Sequence, residues 1–88
     1  MNVLLVGFGN LGYRHFQSIL GEFSNVKFYI VEPEINNIKK FIEKDYDFTD
    51  LSKKLIISNF IEDFKNIDFN FCIVSTPSLP RLYVLKKI

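Results

Sequence analysis

Short apolar runs alternate with segments of helical period along this chain. Four runs, at residues 2–6, 26–31, 55–58 and 69–74, carry mostly consecutive apolar residues rather than a regular apolar and polar alternation. Runs of this kind are typical of strands that are covered on both faces in a parallel sheet. The pattern therefore predicts four strands.

Helical periods follow the first two runs. The first helix is predicted over residues 11–20 and ends at Gly21, since glycine commonly follows the last helical turn. Its apolar face consists of Leu11, Phe16, Ile19 and Leu20. The second helix begins near Pro33, a residue suited to a first helical turn, and spaces three isoleucines along one face: Ile35, Ile38 and Ile42. Residues 45–54 are predicted to form a polar connection.

Two shorter helices complete the pattern. Asn59, with Glu62 three residues later, resembles a capping box for a brief helix through Phe64. Pro80 is suited to begin a last helix that runs to Lys87. Strands that alternate with helices predict an α/β fold with a parallel sheet, right-handed crossovers and helices on both faces.

The length of the chain limits this fold to one domain. A chain of 88 residues has room for one hydrophobic core, so we expect a single domain over residues 1–88. About four strands in the order 3-2-1-4 then give a Rossmann-like, three-layer αβα fold whose second half is incomplete.

The fourth run raises a question about the edge of that sheet. In the order 3-2-1-4 the strand at residues 69–74 is outermost, yet it contains no proline or lysine that would discourage pairing. Its outer N–H and C=O groups would lack partners. We therefore expect the chain to self-associate through this edge, or to need a further segment or partner chain that adds a fifth strand there.

Three glycines separate the first strand from the first helix. Gly7, Gly9 and Gly12 have the spacing G-x-G-x-x-G, which is typical of dinucleotide-binding folds. Gly7 permits a tight turn, Gly9 lets a pyrophosphate approach the backbone, and Gly12 lets the helix pack closely on the strand. The phosphates would then face free N–H groups and the positive end of the helix dipole.

An acidic residue occupies the place where such folds hold a ribose. Glu32 follows the second strand, twenty positions after Gly12. A carboxylate there accepts hydrogen bonds from an adenosine ribose and repels the 2′-phosphate of NADP, so NAD is the expected cofactor. In an alternative interpretation, Glu32 and Glu34 only complement the dipole of the second helix.

The end of the fourth strand supplies the other wall of the predicted crevice. In the order 3-2-1-4, strands one and four flank the topological switch point, where ligands of such sheets bind. Ser75, Thr76 and Pro77 should therefore line the crevice and hold the ribose or pyrophosphate beside the nicotinamide. A Ser-Thr-Pro turn is also an ordinary way for a chain to leave a strand.

Composition narrows the range of partners. The formal net charge is +1 and the basic residues are scattered, which argues against nucleic acid and anionic membrane. The single cysteine, Cys72, lies in an apolar run and is interpreted as a small buried hydrophobe in a reducing compartment. The apolar start is too short for a signal peptide or a membrane span, so we expect a cytoplasmic protein.

Three motifs together resemble a known family. "VGFGNLGYRH", Glu32 after the second strand and "IVSTPS" at the end of the fourth resemble the amino-terminal domain of the Gfo/Idh/MocA oxidoreductases, relatives of glucose-fructose oxidoreductase and inositol dehydrogenase. The resemblance covers essentially all of the chain. It implies NAD-dependent oxidation or reduction of sugars, cyclitols or related hydroxyl compounds, with Glu32 on the ribose and Thr76 and Pro77 near the nicotinamide. The pyrophosphate is implied to contact the glycine loop: Gly7, Phe8, Gly9, Asn10, Leu11 and Gly12.

The sequence departs from that family in two places. Arg81 stands where members often carry a histidine, and the sequence ends before the family's Glu-Lys-Pro segment, catalytic lysine and histidine, and substrate domain. We therefore assign no catalytic and no metal-ligating residue. The chain alone is expected to turn over no substrate, since the cofactor supplies neither a proton acceptor nor a surface that orients the substrate.

Other interpretations stay open. An S-adenosylmethionine-dependent transferase also uses a glycine loop and a ribose-binding acid, but Leu5 and Val6 stand where such folds carry an acid before the loop. A flavin-binding module and a non-catalytic interaction domain are also compatible with the pattern. His15, the only histidine, is expected to be packed and hydrogen-bonded rather than catalytic, and Arg14 to be a charge near the phosphates.

Overall fold

Five strands form one sheet, four of them at the predicted apolar runs. They are β1 (Asn2–Val6), β2 (Lys27–Val31), β3 (Leu55–Ser58), β4 (Phe71–Thr76) and β5 (Leu79–Lys86), in a computed structural model that describes residues 1–76 and 79–86. Their order across the sheet is β3-β2-β1-β4-β5. The first four run parallel, whereas β5 runs antiparallel to β4. The predicted α/β class and the order 3-2-1-4 are confirmed.

Three α-helices lie between the strands: α1 (Asn10–Glu22), α2 (Ile35–Ile42) and α3 (Phe48–Leu51). The predicted end of the first helix at Gly21 is wrong, because α1 continues until the N–H of Phe23 bonds the carbonyl of Ile19. α3 lies in the segment that was predicted to be a polar connection. It begins where the Asp47 carboxylate accepts the N–H of Thr49. Two 3₁₀ helices, Ser52–Lys54 and Ile61–Phe64, precede and follow β3.

The core lies mainly between the sheet and the two longer helices. Buried residues of the strands, of their connections and of α1 and α2 form one cluster there: Val3, Leu5, Phe8, Tyr13, Phe16, Val26, Phe28, Ile30, Ile38, Ile42 and Ile73. Burial of one such large apolar side chain stabilises a fold by about 1.5 to 3 kcal/mol. This face of the sheet therefore supplies most of the hydrophobic stabilisation.

The opposite face of the sheet is covered more thinly. Leu4, Tyr29 and Val31 pack there against Phe64, in the second 3₁₀ helix, and against Phe69. The Tyr29 ring centroid lies 5.2 Å from each phenylalanine ring, in edge-to-face geometry. Helices were expected on both faces, but the connection between β3 and β4 has room only for this single 3₁₀ helix.

Two residues of the predicted apolar faces point outward. Leu11 and Ile35 are 45% and 56% exposed, whereas Phe16, Ile38 and Ile42 are fully buried. Both exposed residues lie in the first turn of their helices, where the chain has only just left the carboxyl edge of the sheet. The hydrophobic period predicted the helices correctly but assigned these two first-turn residues to the wrong environment.

The predicted last helix is wrong. Residues 79–86 form β5, whose register on β4 pairs Val74 with Tyr83 and Cys72 with Leu85. Leucine, tyrosine and valine suit a strand, and the outer N–H and C=O groups of β4 offer this segment hydrogen bonds. Pro80, which was interpreted as a helix start, is also tolerated in an edge strand. Lys87, the predicted helix end, lies outside the described residues.

β5 also changes the position of β4 in the sheet. With β1 on one side and β5 on the other, β4 is an interior strand rather than the outermost one. The expectation of an open β4 edge is therefore wrong, because the chain's own residues 79–86 supply the fifth strand. Ile73 is buried as expected, whereas Cys72, predicted to be buried, has intermediate exposure.

Within residues 1–76 and 79–86, no helix has both the length and the apolar character that spanning a bilayer requires. The longest, α1, has 13 residues, where a span needs about 20.

α1 packs on the turn before it with almost no space between them. A Cβ atom at Gly12 would lie 2.6 Å from the carbonyl oxygen of Gly7 and 3.3 Å from its carbonyl carbon. Both are backbone atoms, which cannot swing aside as a flexible side chain can. The close packing predicted for Gly12 is confirmed, and it sets the position of α1 on the sheet.

Gly12→Ala should therefore destabilise the fold, although alanine favours a helix interior by about 1 kcal/mol over glycine. Overpacking of this kind costs about 1 to 3 kcal/mol. Gly21→Ala is the matched control, because it lies in the same helix with open space around its Cβ position, and it should be neutral or stabilising. Urea unfolding measures both; equal stability of the two variants would contradict the contact.

Candidate functional site

The glycine loop turns sharply at the carboxyl end of β1. Gly7 has φ of 90°, a left-handed conformation that favours glycine, so the tight turn predicted there is confirmed. Its N–H donates to the carbonyl of Val31 at 2.9 Å, which ties the turn to the end of β2. The loop is thus fixed to two neighbouring strands before the helix begins.

Neither a capping side chain nor an acidic residue of its own first turn compensates the free N–H groups at the start of α1. Gly9 is the N-cap and makes no side-chain cap hydrogen bond, and the first turn has no acidic residue. A Cβ atom at Gly9 would meet no atom within 4 Å. The helix terminus therefore keeps its partial positive charge and an unobstructed approach for an anion.

Glu32 connects the glycine loop to the start of the second helix. Its side chain is buried, with 9% of the residue exposed. Oε1 accepts the N–H of Phe8 at 2.9 Å, and Oε2 accepts the N–H of Glu34 at 3.0 Å. Its own N–H donates to the carbonyl of Ser58 at 3.0 Å. Each carboxylate oxygen keeps a second lone pair, so the group remains able to accept hydrogen bonds from a ligand.

A cavity of about 420 Å³ lies beside Glu32, within the range of small-molecule sites. Its lining comes from the carboxyl ends of neighbouring strands and the segments that follow them: Val6, Gly7, Gly9, Val31, Glu32, Pro33, Asn37 and Asn59. The walls are thus partly apolar, with one carboxylate and two amides as polar groups. None of the described lining residues is a lysine or an arginine.

The structure brings part of the predicted cofactor set together at this cavity. Gly7, Gly9 and Glu32 line it, and Gly12 lies directly beneath the loop. Phe8 does not face it, because its ring is fully buried between Tyr13, Phe16 and Phe41. Its N–H is already bonded to Glu32.

Asn10 and Leu11 lie at a different place. Together with residues of α1 and the end of α2 they line a separate surface hollow of about 510 Å³: Asn10, Leu11, Tyr13, Arg14, Gln17, Phe41 and Lys44. This hollow lies over the outer side of the two helices rather than at the carboxyl edge of the sheet.

The end of β4 lies next to the glycine loop, as predicted, since Val74 pairs with Val6. Ser75, one residue further, is buried and is not among the described residues that line the cavity. Thr76 ends β4. Pro77 lies outside the described residues.

Two residues that line the cavity, Asn37 and Asn59, were not predicted to be site residues. Asn59 was assigned to a capping box, which is wrong, because the 3₁₀ helix there has Phe60 as its N-cap and makes no side-chain cap hydrogen bond. The Oγ of Ser58 accepts the N–H of Phe60 at 3.1 Å and donates to Asp63. One signal was present in the sequence, because Asn59 directly follows a strand, and residues there share an edge with Glu32. Asn37 offered no comparable signal.

One ring nitrogen of His15 lacks the hydrogen bond that was expected. Its Nε2 atom is buried and has no hydrogen-bond partner among the described residues, so the predicted hydrogen-bonded role is wrong for this nitrogen. His15 does not line the cavity. Arg14 is exposed and faces the hollow over the helices.

A hydrogen bond of Tyr13 connects the start of α1 to the segment after α2. Its hydroxyl donates to Oδ2 of Asp45 at 2.6 Å, and Gln17 donates to the same oxygen at 3.4 Å. Burial, together with the hydrogen bond to Asp45 and the charge of this carboxylate, raises the pKa of Tyr13 above its usual value. The hydroxyl therefore stays a donor in alkaline solution.

No protein-family model, curated protein or solved structure matches the chain. The fold and the geometry of the cavity are therefore the basis on which a function is proposed.

Tyr13→Phe should lower the free energy of unfolding at about pH 7 by about 1.5 to 3 kcal/mol, since it removes one hydrogen bond to a charged group. The raised pKa in the folded state means that the contribution of Tyr13 is present below the ordinary tyrosine pKa of 10.0 and declines as the pH rises above it. The difference in the free energy of unfolding between wild type and variant, measured by urea unfolding, should therefore be smaller at about pH 10.5 than at about pH 7. An unchanged difference would contradict the assigned role of the hydroxyl.

Proposed function

We propose that this domain binds NAD at the carboxyl edge of β1 and β2. We further propose that it is the nucleotide-binding domain of an oxidoreductase resembling the Gfo/Idh/MocA dehydrogenases, which act on sugars or cyclitols. One observation carries the proposal: an open glycine at an uncapped helix terminus and a buried carboxylate line the same cavity. These are the two groups that a nucleotide requires, one for phosphate and one for ribose.

The phosphates belong at the start of α1. The space around the Cβ position of Gly9 leaves the backbone accessible, and the helix dipole favours negative charge there. No acidic side chain competes in the first turn of the helix. Phosphate binding would thus satisfy N–H groups that no side chain in the described part of the chain caps.

The ribose belongs beside Glu32. Both oxygens of this carboxylate are held by backbone N–H groups, which fixes their orientation and leaves lone pairs for ribose hydroxyls. A 2′-phosphate at the same place would meet a like charge in a partly dry site. The described lining residues include no lysine or arginine to offset that charge. This arrangement favours NAD over NADP.

Calorimetric titration of the purified chain with NAD, NADP, S-adenosylmethionine and FAD tests the proposed cofactor. NAD should bind with modest affinity, and NADP at least about tenfold more weakly, because one uncompensated charge contact costs more than about 1.4 kcal/mol in a partly buried site. Binding of NADP as tight as NAD would overturn the cofactor assignment. Binding of S-adenosylmethionine or FAD without NAD would replace it with one of the alternative functions.

Gly9→Ala separates binding from folding. In the free protein the added Cβ enters open space, so urea unfolding should match wild type within about 0.5 kcal/mol. The methyl group would occupy the approach to the helix terminus, so NAD affinity should fall by about tenfold or more. Gly21→Ala, at the other end of the same helix, should leave NAD affinity unchanged. Wild-type affinity in Gly9→Ala would refute the phosphate position.

A further inference from the structure

Two asparagine side chains line the cavity on the side away from the glycine loop. Asn59 follows β3 directly, and Asn37 lies in the first turn of α2. Both residues are exposed. Neither side-chain amide forms a hydrogen bond within the described part of the chain. Two residues that line one cavity therefore carry amides whose donors and acceptors are available to a ligand.

The order of the strands gives these amides a place along a nucleotide. The glycine loop ends β1, Glu32 ends β2 and Asn59 ends β3, and these three strands are adjacent in that order. Neighbouring strands are about 4.8 Å apart, so the end of β3 lies about 10 Å from the end of β1. A nucleotide has the linear order phosphate, ribose, base. With phosphate at the loop and ribose at Glu32, the base lies at Asn59 and Asn37.

An amide distinguishes purines at their 6-position. A carboxamide offers one donor and one acceptor side by side, which match N7 and the N6 amino group of adenine in a bidentate pair. Hypoxanthine and guanine carry a carbonyl at that position. On the N7 edge their O6 and N7 atoms are both acceptors, so the carbonyl of an amide finds no donor there. The N1 edge would give no such discrimination, because N1–H and O6 also match an amide.

We propose that Asn37 and Asn59 bind the base of the nucleotide along its N7 edge and so select adenine over 6-oxopurines. This inference rests on the proposed function and adds to it the residues that read the base. Apolar lining from Val31 and Pro33 supplies the flat contact that a purine ring needs, and the amides supply its specificity.

The test compares NAD with nicotinamide hypoxanthine dinucleotide, in which a carbonyl replaces the amino group of adenine. In calorimetry, wild type should bind NAD about tenfold more tightly than this analogue, the size expected for one bidentate pair. The double variant Asn37→Ala/Asn59→Ala should bring the ratio close to one. Asn36→Ala is the matched control, because Asn36 is exposed in the same helix and does not line the cavity. It should keep the wild-type ratio.

The possible results of this titration distinguish the selection of the base from the binding of NAD itself. Equal affinity of wild type for both dinucleotides, or an unchanged ratio in the double variant, overturns base selection while NAD binding stands. A ratio lost equally in Asn36→Ala also overturns it, because the effect then belongs to the helix rather than to the cavity. No binding of either dinucleotide to the folded wild type overturns the proposed function and this inference with it. Circular dichroism establishes that each variant is folded.

Discussion

The close approach of Gly12 to the carbonyl of Gly7 is the constraint on which the rest of the molecule depends. There is no room for a Cβ atom between them, so α1 starts directly against the turn that ends β1. That position lets Phe16 reach the core between sheet and helices. It also leaves the uncapped first turn of α1 at the carboxyl edge of the sheet, beside Glu32. One backbone contact thus sets both the packing of the helix and the shape of the candidate site.

Glu32 adds a second constraint, of electrostatic origin. Burying a carboxylate is costly unless hydrogen bonds replace its water, and here the N–H groups of Phe8 and Glu34 do so. Because these donors belong to the glycine loop and to the N-cap of α2, the carboxylate holds both segments in place. The same bonds fix its orientation before any ligand is present. A group arranged in this way loses little conformational freedom on binding, which favours affinity.

Much of this arrangement was predictable because it depends on local signals. Apolar runs located β1 to β4, and the spacing of Gly7, Gly9 and Gly12 located the turn and the helix that follows it. The exposed first-turn residues Leu11 and Ile35 were assigned wrongly, because helical period does not show where the strands beneath a helix end. Asn59 was misassigned for a related reason. Its spacing to Glu62 suits a capping box, but the 3₁₀ helix that follows has Phe60 as its N-cap and makes no side-chain cap hydrogen bond.

β5 shows why the remainder could not be predicted from local signals. Pro80 suits the first turn of a helix and an edge strand equally well. Whether the segment forms a helix or a strand is therefore decided by a contact with another segment, which sequence periodicity does not describe. That contact is the row of N–H and C=O groups along β4, which β5 pairs. The apolar sequence of β4 correctly indicated a strand, and the need for a fifth strand at its outer edge was recognised. The error concerned which segment provides the second neighbour, and the chain provides it from its own residues 79–86.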